Sequence, residues 1–390
     1  MSSFTRQLSP RDPHEAHRAA TPLELFFDLV SVIAIAAAAA GLHHAIAEAH
    51  AVEGIITFLM AFFAIWWAWM NYTWFASAYD NDDTLYRLLT ILIMAGSLAM
   101  AAGIGALFKS GDLTMVVTGY VIMRLGMIAL WLRAANNDPD RRSTALSYAA
   151  GIGIAQIFWI VFLALQPLQP VFLYGLFIAG VVLELAVPVV AERKSNTPWH
   201  RHHIIERYGL LNIIVLGETL LAGGLALQQV AGGATNIAFV HIALSSLVIV
   251  FSMWWLYFAR EDHLTSTDLN RALTWGYGHF VIFASGAAVG AGFAVLVDVI
   301  AGKAEASLLV GDYAVGIPVA LYMTSLWFVR DRFCLQGAAR WVLPVFAVLV
   351  LLAPFTPVAL EGIAALTALS VIVRNYMASR GNATKAAGRL

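Results

Sequence analysis

Ionisable residues are sparse in this chain, and several stand where an apolar sequence leaves them no water. Glu24 and Asp28 open the run "TPLELFFDLVSVIAIAAAAAGLHH". Four residues apart, they share one helix face, and two carboxylates on one face can take a cation or a proton. Arg124 in "GYVIMRLGMIALW", Glu184 in "IAGVVLELAVPVV" and Glu218 in "NIIVLGETLLAGG" each interrupt a long apolar segment. A charge at mid-bilayer costs about 2.5–3.5 kcal/mol even on the lenient insertion scale, so each must face protein or water and find a partner. Arg124 and Glu184 lie at depths that differ by only about 5 Å at 1.5 Å per residue, which predicts a buried ion pair. Glu218 has no basic residue at its own depth. Gly217, Gly223 and Gly224 beside it permit close helix approach or local unwinding. Glu218 is therefore the strongest candidate for a binding or ion-pathway group.

The segment "HHIIERYGLLNIIVLGE" adds Glu206 to the candidates and offers Arg207 as a partner for Glu24 or Asp28. The competing reading of Arg207 is an arginine that reaches back to the headgroups. Glu24 has a structural reading too, because Thr21-Pro22 looks like a helix start and a carboxylate in the first turn complements the helix dipole. Asp28, one turn deeper among Phe26, Phe27 and Leu29, is harder to account for as a cap. Arg87 and Arg271 head helices after acidic loops and read as salt bridges pinning loop to helix. His43-His44 and His202-His203 are adjacent pairs, about 100° apart around a helix of 3.6 residues per turn, so neither makes a two-ligand face. No HExxH, phosphate loop or nucleophile elbow occurs. The single cysteine, Cys334, excludes a disulfide framework and a cysteine-rich metal site. No metal and no cofactor are expected, and tryptophans and tyrosines near segment ends read mostly as interfacial belt residues.

These residues need a scaffold that lipid tolerates. Of the 390 residues 60% are hydrophobic and 12% charged, with a mean hydropathy of +0.76. Soluble domains carry about 25% charge, so the composition selects a membrane protein. The net charge of -1 gives no reason to expect nucleic acid as a partner. Apolar stretches of spanning length fall near 23–45, 55–77, 85–107, 113–133, 145–165, 170–191, 203–226, 236–258, 273–297, 309–329, 340–356 and 357–376. The expectation is an all-α polytopic membrane protein with about twelve transmembrane helices, the last two joined through Pro354 and Pro357. The first stretch follows a polar tail and is too long for a cleavable signal core. Basic residues cluster on alternate connections, including Arg133, Arg141, Arg142, Arg193, Lys194, Arg201, Arg330 and Arg332, whereas the opposite side holds only Lys109 and Lys303. Positive charge stays in the cytoplasm, so both termini are placed there.

The chain also resembles itself. "IWWAWMNY", the acidic "DNDD" and "RLLT" recur in order as "SMWWLYF", "REDH" and "RALT", and Glu24-Leu-Phe26 stands against Glu206-Arg-Tyr208. Trp66-Trp67 then matches Trp254-Trp255. This predicts a tail at 1–22, a first six-helix repeat at 23–191, a linker at 192–202, a second six-helix repeat at 203–376 and a tail at 377–390. An even number of spans gives the repeats parallel orientation about an axis along the membrane normal.

Three blocks, "TPLELFFDLV", "WWAWMNYTWFASAYDNDD" with "RLL", and "HIIERYGLLNIIVLGET", resemble the signature of the bacterial low temperature requirement A (LtrA) family. The resemblance implies a multi-spanning protein of the bacterial inner membrane, linked by name to growth in the cold, and brings no set substrate or reaction. It highlights Glu24, Phe27, Asp28, Asn71, Tyr72, Trp74, Asp80, Arg87, Glu206, Arg207, Tyr208, Gly209, Gly217 and Glu218. One departure is Ser31 and the alanines after it, where the family is bulkier.

The function expected is a transporter or channel for a small solute or a cation or proton, with Asp28, Glu206, Glu218 and Glu24 along its pathway. One alternative is a membrane-embedded enzyme acting on a lipid, for which His279 with Glu206 is the sole thin candidate. The other is a structural membrane protein that supports growth in the cold. Partners are the lipid bilayer and a small solute or ion, and the sequence is compatible with a homo-oligomer. Cysteines introduced at 133–144 or 191–202 are expected to be shielded from impermeant thiol reagents in intact cells, and those at 46–54 or 228–236 to react. Labelling of both sets from outside overturns this topology.

Overall fold

A backbone in hydrocarbon has to satisfy its own hydrogen bonds, which leaves helices as the ready solution for a single chain of this pattern. The computed structural model describes residues 6–15, 18–233, 236–260, 264, 266 and 268–387. Among these residues twelve helices are long and apolar enough to cross a membrane. They are α1 (Pro22–Ala47), α2 (Ala51–Tyr79), α3 (Thr84–Ser110), α4 (Thr114–Asn137), α5 (Arg142–Ala164), α6 (Pro170–Glu192), α7 (Arg201–Ala231), α8 (Ala238–Phe258) and α9 (Leu269–Ile300). The last three are α10 (Leu308–Cys334), α11 (Gly337–Phe355) and α12 (Ala359–Ala387). No strand occurs among the described residues. The expected turn between the last two helices lies at Thr356–Val358, flanked by Pro354 and containing Pro357.

Helices α1 and α3 run a little past their apolar stretches, and capping groups hold their ends. Thr21 and Glu24 form a reciprocal cap on α1: the Thr21 N–H donates to Glu24 Oε2 at 2.8 Å and the Glu24 N–H to Thr21 Oγ1 at 3.3 Å. Asp83 caps α3 by accepting from the Tyr86 N–H at 2.8 Å. Gly111 closes α3 at φ 70°, a left-handed conformation that a glycine adopts without strain.

By proximity the chain divides into two units, residues 1–38 with 60–208 and residues 39–59 with 209–390. The division falls inside α1, α2 and α7. In the first unit α3, α4, α5 and α6 pack each on its successor. A Cβ on Gly119 of α4 would lie 2.4 Å from the Met100 N of α3, so only glycine allows that approach. In the second unit α9 is buried along nearly its whole length and packs on α10. A Cβ on Gly292 would meet the Ala314 carbonyl at 2.3 Å. The same unit joins α8 to α12, α10 to α11 and α11 to α12.

The positions matched between the halves have unlike surroundings. Trp66 and Trp67 are buried, whereas Trp254 and Trp255 are 44% and 56% exposed.

Candidate functional site

The first turns of α1 and α7 carry the acid and base groups that gather in the first unit. Glu24, Asp28, His203 and Arg207 are all fully buried. Arg207 Nη2 donates to Asp28 Oδ1 at 2.5 Å and Nη1 lies 2.9 Å from Glu24 Oε1. One guanidinium therefore serves both carboxylates, as its fork of donors permits. His203 Nε2 lies 3.1 Å from Glu24 Oε1 and 3.3 Å from Oε2. Trp69 of α2 donates its indole N–H to Asp28 Oδ1 at 2.7 Å. Asp28 Oδ2 and His203 Nδ1 have no partner among the described residues. Phe27 packs on Tyr72 with ring centroids 4.2 Å apart. The Tyr72 hydroxyl lies 3.2 Å from Thr90 Oγ1 and accepts from the Tyr86 hydroxyl at 3.3 Å.

The loop between α2 and α3 extends this network toward water. Asp80 is buried at 5% exposure, and Arg18, at 6%, donates to the Ala76 carbonyl at 2.8 Å. Burial, and then the charge of Glu24, push the Asp80 carboxyl up to about 6, against the pull of Arg18. Its neighbour Asp83 behaves oppositely. Burial again works upward, but Arg133 and the N–H groups of Arg6 and Tyr86 hold Asp83 at about 2. Arg87 meets Asp82 at 2.6 Å in the open, a loop-to-helix pair. Glu24 and Asp28 pair with Arg207, and Arg18 acts on Asp80 and Glu24 through its charge without an ion pair among the described residues, so these five groups, when ionised, carry one negative charge in excess. A single proton balances it.

A second cluster lies between α2, α4, α5 and α6. Arg124 Nη2 donates to Glu184 Oε2 at 2.7 Å with both side chains fully buried. Glu184 also accepts from Trp67 Nε1 at 2.8 Å, Tyr120 Oη at 2.7 Å, Trp159 Nε1 at 3.2 Å and Gln156 Nε2 at 3.3 Å. Sequence reasoning named the ion pair and missed its four neutral donors. Tryptophans 67, 69 and 159 are buried donors to carboxylates and do not belong to an interfacial belt. Composition alone does not separate the two, since an indole suits a headgroup and a buried carboxylate equally.

The remaining candidates are scattered. Glu206 is half-buried on α7 and has no side-chain hydrogen bond or ion pair among the described residues. Glu218, further along α7, is likewise half-buried without a partner among them. Of its glycines only Gly223 allows a close approach, because a Cβ there would meet Ser246 Oγ at 2.3 Å while Gly217 and Gly224 face open space. Arg271 donates to the Val329 carbonyl at 2.7 Å and lies over the Phe333 ring at 3.8 Å. Residues 261–263 of the acidic loop expected to pair with it lie outside the described residues. His279 meets the Tyr257 hydroxyl at 3.1 Å and donates to the Trp275 carbonyl at 2.7 Å. Among the described residues no group of three or more His, Cys, Asp or Glu is arranged to hold a metal ion.

Arg330, Asp331 and Arg374 form a further buried ionic cluster, for which sequence reasoning named no partners. Each is buried at 2% exposure or less. Arg374 grips Asp331 with two bonds of 2.7 Å, and Arg330 donates to Asp331 at 2.6 Å. Arg330 also donates to the Leu256 and Tyr257 carbonyls at 2.6 and 2.9 Å, near the end of α8. A wider π-type turn at Trp327–Asp331 carries α10 past its apolar stretch and places this pair.

The model of the bacterial low temperature requirement A proteins matches residues 19–376. The chain belongs to this family. Its site residues Glu24, Asp28, Asp80, His203 and Arg207 all fall inside the match. An uncharacterized protein of Rhizobium meliloti (strain 1021) is 26% identical over 386 residues, covering 91% of this chain and 88% of the other. No solved structure matches.

Alanine at Arg124 or Glu184 is expected to cost about 3–5 kcal/mol by leaving a buried charge unpaired. Glu184→Gln should cost less than Glu184→Ala, because an amide oxygen still accepts from part of the donor shell. A charge swap should not restore stability, since an arginine at 184 faces four N–H or O–H donors. Thermal unfolding of the detergent-purified variants checks the order, and a swap as stable as the wild type would show that the pair alone holds the site.

Asp80 sets a pH dependence. Below about 4 the carboxyl is protonated in both folded and unfolded chains, and between about 4 and 6 the unfolded chain ionises first, so this group lowers stability as pH rises. Asp80→Asn should therefore gain over the wild type by an amount that grows from pH 4 to pH 6.5, reaching roughly 3 kcal/mol. Equal pH profiles of the melting temperature for both proteins would contradict this.

Proposed function

We propose that this multi-spanning membrane protein is a transporter that couples proton binding at the Glu24–Asp28–Arg207–His203 network to movement of a small solute or cation. The observation that carries the reading is the charge count: two buried carboxylates share Arg207, a third, Asp80, lies within the influence of Arg18, and one proton is needed to balance the set. An uncompensated charge in such surroundings is expensive, so the set has reason to gain and lose that proton as a unit. Asp80, in the loop and with its carboxyl pushed up to about 6 by burial, supplies an entry. Asp28, one turn deeper and with one oxygen unpartnered among the described residues, supplies an end point. Glu218 and Glu206, half-buried on α7 without ion-pair partners among those residues, are further carboxylates for the solute or ion to meet.

Membership in a bacterial family supports an inner-membrane location, and the asymmetry of arginine and lysine supports both termini in the cytoplasm, and thus proton entry at Asp80 from that side. The recurring motifs support two parallel six-helix repeats at 23–191 and 203–376, the duplicated layout common among transporters. The bilayer is the protein's solvent.

Proton flux into liposomes holding the purified protein and an internal pH dye, under an imposed potential, tests the proposal. The wild type should carry protons, Asp28→Asn should abolish the flux while melting like the wild type, and Glu24→Gln should mainly lower stability because it weakens the α1 cap. Wild-type flux in Asp28→Asn would remove this carboxylate from the pathway. No proton movement by the wild type, with or without a panel of small solutes, would leave the network a structural element.

A further inference from the structure

The unit of residues 39–59 and 209–390 contains a cavity of about 380 Å³ between the end of α1, the start of α2, the middle of α9 and the first half of α10. Phe58, Phe280, Ala284, Tyr313, Ile317 and Leu321 define its walls, and apart from Ser285 and Tyr313 every lining side chain is hydrocarbon. The cavity opens sideways, since its lining residues Ile55 and Leu59 on α2 and Ile317 and Leu321 on α10 are 43–47% exposed. Along α10 the lining runs from Leu309 to Leu321, about 18 Å at 1.5 Å per residue. That depth exceeds half of a hydrocarbon core of about 30 Å.

Polar groups gather at one end. The N–H groups of Glu305 and Ala306 donate to the Ala47 carbonyl at 2.8 and 3.1 Å, which seats the α9–α10 loop on the α1–α2 turn. Glu48, Glu53, Lys303 and Glu305 are exposed on these two connections and the turn of helix that follows the first.

We propose that this cavity holds one acyl chain of an aminophospholipid, with the headgroup at the rim, the ammonium among Glu48, Glu53 and Glu305 and the phosphate beside Lys303. A ligand with polar atoms inside the cavity would lose its hydrogen bonds with little to replace them, so only a hydrocarbon chain belongs there. Bilayer interior is as apolar as the cavity, so close packing against the aromatic walls and the headgroup charges decide what stays. Three carboxylates and one lysine complement a zwitterion that bears an ammonium and oppose an anionic headgroup.

The test is retained lipid per chain, measured by mass spectrometry on full-length protein taken from vesicles with equal ethanolamine and glycerol phospholipid. The wild type should retain about one phospholipid per chain, with ethanolamine headgroups enriched severalfold. Ala284→Trp, which fills the cavity, should lower retention severalfold at an unchanged elution volume. If that variant misfolds, Ile317→Trp at the open side serves in its place. Glu48→Gln with Glu305→Gln should erase the headgroup preference and keep the chain. Equal retention in the filled variant, no retained lipid in the wild type, or glycerol headgroups held as well as ethanolamine would each overturn the assignment.

Discussion

One arginine without access to water organises the α1 end of the first unit. Arg207 is fully buried, and its two terminal nitrogens reach Glu24 and Asp28 at 2.9 and 2.5 Å. A guanidinium stays charged in proteins, so burying it calls for carboxylates, and two carboxylates beside one guanidinium leave one negative charge in excess. The capping of α1 by Glu24, the placement of Trp69 and the position of His203 all follow from that requirement.

The Arg124–Glu184 cluster solves the same problem to a different end. Here the charges cancel within the pair, and four neutral donors fill the rest of the carboxylate. Such an arrangement holds helices together and has no evident use for a proton. The Arg207 network differs in charge, because its charges do not cancel. Both clusters leave buried atoms without hydrogen-bond partners among the described residues, Arg124 Nε and Nη1 in the first and Asp28 Oδ2 and His203 Nδ1 in the second. Two buried ionic clusters in one unit thus differ in charge count: one cancels within a pair, and the other sets two carboxylates on one guanidinium.

In the second unit the buried ionic set is Arg330, Asp331 and Arg374, and it depends on backbone irregularity. A regular α-helix would end the apolar stretch of α10 near Trp327 and leave the following residues to water. The wider turn at Trp327–Asp331 instead carries Arg330 under the end of α8, where it donates to two carbonyls that an α-helix leaves without internal partners.

The sequence by itself determined the membrane class and the twelve helices, because spanning length and hydropathy are local properties and lipid admits few alternatives. It also determined which charges needed partners, since Arg124, Glu184, Arg207 and Asp28 each interrupt apolar surroundings. Their partners were only partly legible. Arg124 with Glu184 followed from matched depth, and Arg207 stood between two choices that the tertiary structure resolved by using both. The tryptophan and tyrosine donors, the burial of Arg330 and Arg374, and the unlike surroundings of Trp66-Trp67 and Trp254-Trp255 were decided by tertiary structure alone. A side chain's depth can be counted along its own helix, but which neighbouring helix faces it depends on packing among residues far apart in the chain.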